Sequence, residues 1–271
     1  MRSSTTRASV PRDVDEAPVA WREAGQGPAV LFLHGLGMTR TGWDAQLEAL
    51  ADRWRCVAWD MPGYGASPAV ADFSLAAAAD AAAGLVERLG GPAHVVGMSM
   101  GGMVALEVAL RHPGAVRSLA LVDTSPAFGL DGTDPDAWRA ARLAPLDQGA
   151  RIGDFAEPVL RGVMAPDPDA AAVAAAVASM LRVPVAGLRQ SIAALPAHDV
   201  RDRLGRIAAP TLVVVGELDE ETPPAYAEAL RDGIPGARLA VIPGAGHLTP
   251  FEAPDALNAL LRDHLLDVEA A

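Results

Sequence analysis

Short apolar runs and longer helical patterns alternate along most of this chain. The runs are nearly continuous in Val, Leu, Ile, Ala and Trp, and they occupy residues 30–33, 56–59, 94–97, 119–122, 211–215 and 238–242. This composition is typical of strands that helices cover on both faces. Strands that alternate with helices indicate a parallel sheet built from βαβ units. An amphipathic segment at 17–23 is predicted to add an antiparallel edge strand.

Helical periodicity fills the segments between these runs. Apolar residues recur at intervals of three and four in 44–54, 74–89, 100–111 and 253–266. Ser74 opens the second of these segments and is predicted to cap its helix. The helix at 100–111 follows the third predicted strand directly, so a very short turn must join the two.

The alternation stops between residues 125 and 209. This stretch has only helical fragments separated by Pro and Gly, at 136–143, 151–164, 168–182, 185–195 and 199–207. Ligands of open α/β sheets bind beyond the carboxyl ends of the strands, so an inserted helical block is predicted to cover the binding site. We therefore expect a flexible leader at 1–15, an α/β core of 16–124 and 210–271, and a helical cap at 125–209.

The strongest chemical signal is Gly97-Met-Ser-Met-Gly101, which matches the pattern G-x-S-x-G. An apolar strand enters this segment and a helix leaves it, so the turn must be sharp and must expose the hydroxyl of Ser99. The two glycines remove side chains that would crowd the turn. Because Ser99 stands at a helix N-terminus, negative charge that develops there is stabilised. The pattern predicts a nucleophilic serine.

A serine nucleophile needs a base, and six histidines are available. His247 is the candidate because it ends the small-residue loop 243–247, from which an imidazole can return over the sheet edge. The acid that orients the base is expected on a loop after another strand, and Asp219 follows strand 211–215. Serine, acid and histidine then occur in the chain order expected for this architecture.

The assignment of the acid leaves alternatives. Three other carboxylates share the loop of Asp219, and they are Glu217, Glu220 and Glu221. Asp123 ends the strand at 119–122, and an acid after that earlier strand could also reach His247. We expect the acid to be Asp219, with Asp123 as its main rival.

Two main-chain amides are expected to bind the negative charge that develops on a substrate carbonyl oxygen. One is the amide of Met100, the residue after the nucleophile. The other is the amide of Leu36, in the exit loop 33–37 of the first parallel strand, where His34 and Gly35 shape the backbone. The sequence therefore predicts an oxyanion hole beside Ser99.

Five segments, in this order, resemble the α/β-hydrolase superfamily. They are His34-Gly-Leu-Gly37, Asp60-Met-Pro-Gly-Tyr-Gly65, Gly97-Met-Ser-Met-Gly101, Gly216-Glu-Leu-Asp219 and Gly244-Ala-Gly-His247. The resemblance covers residues 18–266 apart from the cap. It implies the α/β-hydrolase fold, a mostly parallel doubly wound sheet with an inserted helical cap, and a Ser-His-Asp triad. Ser99-Met-Gly-Gly102, Ala209-Pro-Thr-Leu212 and Thr222-Pro-Pro224 resemble 3-oxoadipate enol-lactonases, a similarity that many esterases, perhydrolases and lactonases share.

Serine at the turn narrows the reaction that the resemblance implies. Haloalkane dehalogenases and epoxide hydrolases of this superfamily have Asp there, and dienelactone hydrolases have Cys, whereas Ser99 would form an acyl-enzyme from a carbonyl substrate. The implied activity is hydrolysis of a small-molecule carboxylic ester or lactone. A C–C bond hydrolase or a cofactor-free perhydrolase with the same triad is the alternative, and a ligand-binding receptor with slow turnover is a third possibility.

The cap is predicted to enclose an apolar substrate pocket. The residues expected to line it are His34, Met98, Phe128, Trp138, Phe155 and Met164. An anionic lactone would need an arginine in the pocket, and the candidates are Arg40, Arg139 and Arg142, although a solvated surface position is expected for each. The sequence contains no metal-binding cluster, phosphate-binding loop or dinucleotide fingerprint, so neither a metal nor a cofactor is expected.

Composition limits the partners and the cellular location that we expect for this protein. The chain is 51% hydrophobic, and its net charge of −12 argues against nucleic acid or an anionic membrane as a partner. The single cysteine, Cys56, is expected to be a buried thiol, which fits a reducing compartment. The N-terminus lacks a signal-peptide pattern and no run of about 18 apolar residues occurs, so we expect a cytoplasmic protein. The oligomeric state is left open.

Overall fold

A single twisted sheet organises the chain. The computed structural model describes residues 10–16 and 18–271, and in that part of the chain eight strands pair in the order β1-β2-β4-β3-β5-β6-β7-β8. The strands are β1 (Arg12–Val14), β2 (Trp21–Ala24), β3 (Ala29–Leu33), β4 (Arg55–Trp59), β5 (Ala93–Met98), β6 (Val116–Val122), β7 (Thr211–Gly216) and β8 (Arg238–Ile242). Strands β3 to β8 run parallel, whereas β1 and β2 are antiparallel to their neighbours.

Helices cover both faces of this sheet. Among the described residues they are α1 (Asp44–Leu50), α2 (Leu75–Arg88), α3 (Met100–Arg111), α4 (Pro135–Asp147), α5 (Ile152–Val163), α6 (Ala170–Met180), α7 (Val185–Ala194), α8 (Pro224–Gly233), α9 (Thr249–Glu252) and α10 (Pro254–Ala270). Helices α2 and α3 pack together, as do α1 and α10. From β3 the chain crosses first to β4 on one side and then to β5 on the other, so right-handed crossovers put α1 opposite α2 and α3.

The local signals in the sequence locate most of these elements. Each predicted parallel strand lies within the observed one, and Ser74 caps α2 by accepting a hydrogen bond from the amide of Ala77 at 3.1 Å. Helix α8 was not expected, because the short segment between the acid loop and β8 carries several Pro and Gly residues. Strand β5 is buried along its whole length, as expected of a central strand with helices on both faces.

The chain joins the sheet earlier than the expected flexible leader at 1–15 allows. Arg12–Val14 form β1 and pair with β2, so the expected boundary at residue 15 is wrong. Charged side chains hold this edge strand in place, since Arg22 donates to Asp13 at 2.8 Å. A polar composition conceals such a strand because its side chains pair across the sheet edge. The rest of the expected leader, 1–9, and residue Ala17 lie outside the described residues.

The segment between β6 and β7, for which we keep the name cap (125–209), leaves the sheet and returns to it at one place. Its two ends lie side by side, because the amide of Phe128 donates to the carbonyl of His198 and that of Val200 donates to the carbonyl of Pro126, both at 2.9 Å. Between these ends, α4 to α7 form a helical layer. This paired neck is what an insertion into a βα repeat requires.

Burial in the core accounts for the single cysteine. Cys56 is a free, fully buried thiol in β4, and burial raises its pKa to about 12, so the expected buried thiol is confirmed.

Among the described helices, none is by itself long and apolar enough to cross a bilayer. The bent pair Ala170–Met180 and Val185–Ala197, with 96° between its two parts, meets that test by length and composition alone.

Candidate active site

The turn between β5 and α3 consists of one residue, Ser99. Its backbone has φ 53° and ψ −122°, a combination that costs a non-glycine residue about 1–3 kcal/mol. Two glycines make the turn possible. A Cβ on Gly97 would lie 2.3 Å from the carbonyl oxygen of Gly101, and a Cβ on Gly101 would lie 2.1 Å from that of Leu33. The G-x-S-x-G pattern thus reflects close backbone contacts that aim the Ser99 hydroxyl out of the sheet edge.

A chain of hydrogen bonds runs from Ser99 through His247 to Asp219. The Ser99 hydroxyl lies 3.0 Å from Nε2 of His247, and Nδ1 of the same ring lies 2.9 Å from Oδ2 of Asp219. With the proton on Nδ1, the imidazole donates to the carboxylate and accepts from the hydroxyl. The three residues follow β5, β8 and β7, whose carboxyl ends meet at one edge of the sheet.

The turn after β7 holds the carboxylate of Asp219 in place. Its Oδ1 accepts hydrogen bonds from the amides of Glu221 and Thr222, each at 2.9 Å, and its Oδ2 accepts one from the Thr222 hydroxyl at 2.8 Å. The residue is 3% exposed. Two other acids of this loop are directed elsewhere, since Glu221 pairs with Arg142 and the carboxylate of Glu217 accepts from the amide of Gly244.

Asp123, the rival acid, does not contact His247 in these hydrogen bonds. It is fully buried, and its carboxyl group accepts from the amide of Gly216 at 2.9 Å and from the hydroxyl of Thr249 at 2.6 Å. Burial, and secondarily the negative charge of Asp219, raise its pKa to about 8. Asp123 therefore connects the end of β7 to the start of α9. It lies near Asp219 and His247 but is not part of their hydrogen-bonded series.

The environment of His247 favours its protonated form. Burial alone would lower the pKa of the imidazole, but the charge of Asp219 and the hydrogen bond to it outweigh that effect and raise the pKa above its ordinary value. A carboxylate held 2.9 Å away in a buried site interacts strongly because little water screens it. The arrangement can therefore stabilise an imidazolium that forms when Ser99 loses its proton.

Two main-chain amides close to Ser99 along the chain or in space have no acceptor among the described residues. Among the hydrogen bonds of the described residues, none uses the amide of Leu36 or Met100 as a donor. Met100 is the first residue of α3, where an amide has no partner within the helix. The loop with Leu36 comes close to the nucleophile, since a Cβ on Gly35 would lie 3.2 Å from the Cβ of Ser99 and 2.8 Å from Sδ of Met98.

His34 has a different place from the one expected. It was predicted to line the pocket, but its ring is buried beneath the exit loop and is not part of the cavity wall. Its Nε2 accepts from the amide of Met61 at 3.0 Å, and its Nδ1 lies 3.0 Å from the carbonyl oxygen of Gly35. Burial lowers its pKa. A neutral His34 therefore joins the loops after β3 and β4 and supports the backbone near Leu36.

A cavity of about 480 Å³ opens beside Ser99 and His247. Of the residues predicted to line it, Met98, Phe128, Trp138 and Phe155 do so. Sequence reasoning missed further apolar wall residues from several helices, among them Met103, Val159, Leu160, Leu188 and Ile192. Their helical spacing was visible in the sequence, but the spacing does not show which face of a cap helix turns toward the sheet.

The prediction that Met164 lines the pocket is wrong, and two of the three candidate arginines lie away from the cavity. Met164 is buried at the end of α5 and lies outside the cavity wall. Arg40 is buried among Asp13, Asp15 and Asp60, away from the cavity, because β1 folds back over it. Arg139 pairs with Asp136 on the outside of α4.

Arg142 is the remaining arginine candidate, and it does line the cavity. Its guanidinium is already engaged, since it stacks 4.2 Å from the ring centre of Trp138 and donates to Glu221 at 2.9 Å. In residues 10–16 and 18–271, no group of three or more His, Cys, Asp and Glu side chains is arranged to hold a metal ion.

Comparisons with known proteins cover most of the chain. The model of the family described as Alpha/beta hydrolase family matches residues 30–260. A pimeloyl-[acyl-carrier protein] methyl ester esterase of Neisseria meningitidis serogroup B (strain H44/76) is 34% identical over 240 residues, which cover 86% of this chain and 91% of that protein.

Solved structures give the same result for the fold. A thermophilic esterase from Thermogutta terrifontis has a TM-score of 0.84 at 28% identity and covers 96% of this chain and 99% of its own. The enol-lactonase from Burkholderia xenovorans LB400 also has a TM-score of 0.84, covering 94% of this chain and all of its own. Its identity is 23%, so this likeness concerns the fold alone.

The contacts of the two buried aspartates predict unequal effects when each is replaced. Asp219→Asn should lower kcat by about 10⁴-fold, because the amide no longer holds the His247 tautomer that accepts from Ser99. Asp123→Asn should lose far less, since its side chain contacts Gly216 and Thr249 rather than the imidazole. The measurement is kcat of both purified variants on a p-nitrophenyl ester. The reverse ranking would identify Asp123 as the acid.

The raised pKa of His247 predicts the acid limb of the pH profile. A base works only when it is neutral, so kcat/KM should fall as the pH drops through the pKa of His247 in the free enzyme. We expect the midpoint of that limb above pH 6.5, the ordinary value for histidine. Residual activity of Asp219→Asn should show a lower midpoint, because the carboxylate that raises the pKa is gone. A midpoint that stays unchanged in this variant would contradict the assignment.

Proposed function

Because the chain belongs to the Alpha/beta hydrolase family, we propose that it is a serine hydrolase that cleaves a carboxylic ester or lactone through an acyl-enzyme. The single observation that carries this proposal is the continuous hydrogen-bonded series of Ser99, His247 and Asp219, with distances of 3.0 and 2.9 Å. The relatives with matching length include methyl ester esterases, which supports an ester as the substrate class.

The first half of the reaction forms the acyl-enzyme. Oγ of Ser99 attacks the carbonyl carbon while Nε2 of His247 takes its proton, and Asp219 stabilises the resulting imidazolium. The carbonyl oxygen becomes an oxyanion, which the amides of Leu36 and Met100 bind. When the tetrahedral intermediate collapses, the bond to the alkoxy oxygen breaks, and that oxygen receives the proton from His247 and leaves as an alcohol.

The second half regenerates the serine by the same groups. A water molecule attacks the acyl carbon and gives one proton to His247, and the same two amides bind the new oxyanion. The Ser99 ester bond then breaks, Ser99 recovers the proton, and the carboxylic acid leaves. A lactone follows the same steps, except that the alcohol of the first half stays attached to the acyl group, so hydrolysis of the acyl-enzyme releases a single hydroxy acid.

The cavity supports an uncharged, largely apolar acyl group as the substrate. Its wall combines Met, Leu, Ile, Val, Phe and Trp side chains from the sheet edge and the cap. The charged side chains on the wall, besides the base, are Asp131, Arg142, Glu220 and Glu221. Acids outnumber the one arginine, whose guanidinium is paired with Glu221 and stacked on Trp138. A free carboxylate on the acyl chain would therefore meet repulsion rather than an available cation.

Removal of the nucleophile tests the proposed reaction. Ser99→Ala should lower kcat on p-nitrophenyl esters by about 10⁴-fold or more and leave the melting temperature nearly unchanged. A serine-directed phosphonate should label the wild-type chain once and this variant not at all. Ser74→Ala serves as the control, because it removes a hydroxyl that caps α2. It should lower the stability of the protein and leave its activity unchanged. Activity of Ser99→Ala within about tenfold of wild type would exclude the mechanism.

The pairing of Arg142 predicts how substrate charge is discriminated. The comparison uses methyl hexanoate and the monomethyl ester of adipic acid, which share chain length but differ by a terminal carboxylate. Wild type should prefer the neutral ester. Glu221→Gln releases Arg142 and should shift the kcat/KM ratio toward the anionic ester by about two- to fivefold, the worth of a solvent-exposed ion pair.

Glu220→Gln is the matched control for this shift. It removes the same charge from the same loop and from the same cavity wall, but it releases no guanidinium. Its ratio should move less than that of Glu221→Gln. Equal shifts in the two variants would mean that only the total charge of the cavity matters and that the ion pair with Glu221 does not keep Arg142 from the substrate.

A further inference from the structure

The carboxylate of Glu252, which has no part in the reaction steps above, binds three main-chain amides. Its Oε2 accepts from Ala165 at 2.7 Å and from Gly246 at 3.1 Å, and its Oε1 accepts from Leu248 at 2.9 Å. Hydrogen bonds to a charged acceptor are about twice as strong as those between neutral groups. Glu252 is only part-buried, so three such contacts mark a specific arrangement rather than the ordinary solvation of a surface glutamate.

Two of the three donors stand on either side of His247. Since each peptide unit is planar, fixing the amides of Gly246 and Leu248 leaves the backbone of His247 little freedom to rotate. The direction of its Cα–Cβ bond, and hence the reach of the imidazole toward Ser99, then follows. Glu252 itself is held one turn away, where its own amide donates to the carbonyl of Leu248 at 2.9 Å.

The third donor, Ala165, belongs to the cap and lies just beyond α5. The same junction has a second hydrogen bond, since the amide of His247 donates to the carbonyl of Val163 at 2.9 Å. The two segments also touch directly, because a Cβ on Gly246 would lie 2.4 Å from the nitrogen of Ala165. Helix α5 contributes Phe155 to the cavity wall. One carboxylate thus joins the loop that carries the base to the helix that forms a wall of the pocket.

We propose that Glu252 is a positioning residue for His247, which fixes the base loop and the end of α5 in one arrangement. This inference rests on the proposed function for its kinetic readouts. Placement errors of about 1 Å can cost about 100-fold in rate even when the residue lies outside the reaction. The matched control is Glu217, another glutamate that accepts from an amide of the same loop, that of Gly244 at 2.9 Å, on the exposed side.

The experiment compares Glu252→Gln with Glu217→Gln in the full chain. A glutamine has one acceptor oxygen instead of two, so Glu252→Gln must give up contacts on one side of His247. We expect kcat on p-nitrophenyl acetate and the rate of labelling by a small serine-directed phosphonate to fall about 10- to 100-fold together, with KM changed far less. Glu217→Gln should keep both rates within about twofold of wild type. Glu252→Asp, which keeps both acceptor oxygens on a shorter side chain, should lie between wild type and Glu252→Gln.

A proton spectrum supplies a readout that does not depend on turnover. The far-downfield signal of the Nδ1 proton that His247 shares with Asp219 should broaden or shift in Glu252→Gln and persist in Glu217→Gln. A folded Glu252→Gln with unchanged kcat and an unchanged signal, or with losses that match only its unfolded fraction, would overturn the proposal. If Glu252→Gln does not fold, an unchanged kcat and signal in Glu252→Asp would overturn it.

The two proposals fail in different ways. If wild type hydrolyses no ester and Ser99 takes no phosphonate, the proposed function fails, and the proton signal still decides the role of Glu252. If wild type is active but Glu252→Gln matches the control in rates and spectrum, the positioning role fails and the proposed function stands.

Discussion

A turn of one residue between β5 and α3 is the constraint on which the remaining geometry depends. Ser99 can stand at φ 53° only because strand and helix hold its neighbours on both sides, and the turn closes only because Gly97 and Gly101 carry no side chain. Once the hydroxyl projects from the sheet edge, loops from other parallel strands can reach it, because their carboxyl ends share that edge. The loops after β3, β7 and β8 do so.

The loop that carries His247 has no regular secondary structure, yet each of its main-chain amides has an acceptor. Every amide from residue 244 to 249 has an acceptor: a carboxylate for 244, 246, 248 and 249, and a carbonyl for 245 and 247. Buried backbone groups without partners are costly, so this network explains how an irregular loop can keep a defined backbone path. The carboxylates come from the ends of β6 and β7 and from α9, which makes the base loop a junction of several elements.

The cap has two tasks that the geometry separates. Helices α4 to α7 supply apolar side chains that shape the cavity, whereas the neck, the end of α5 and the ion pair of Arg142 with Glu221 attach the cap to the core. The wall residues set the size and polarity of the cavity, and the attachments set the position of the cap on the core. Under the proposed function, substitutions in the wall would change substrate preference while the attachments keep the cap in place.

The resemblance to α/β hydrolases and the fold class were evident from local patterns, and the family match and the sheet confirm them. Strands and helices follow from the spacing of apolar residues, and the sharp turn follows from Gly97 and Gly101, which are neighbours of Ser99 along the chain. Signals of this kind need no knowledge of distant segments. The roles of the site residues, by contrast, stay predictions that the geometry supports.

Only the tertiary structure decided which groups meet. It put Asp219 rather than Asp123 against His247, turned His34 and Met164 away from the cavity, and paired Arg142 with Glu221. It also joined Glu252 to both sides of the base. Each of these outcomes depends on side-chain directions and on distances between segments far apart in sequence. Asp219 and Asp123 both follow a buried strand, so their local sequence does not show which carboxylate reaches the imidazole and which binds a neighbouring amide. The sequence by itself therefore determined the candidate residues and their elements, and the fold determined which side chains are in contact.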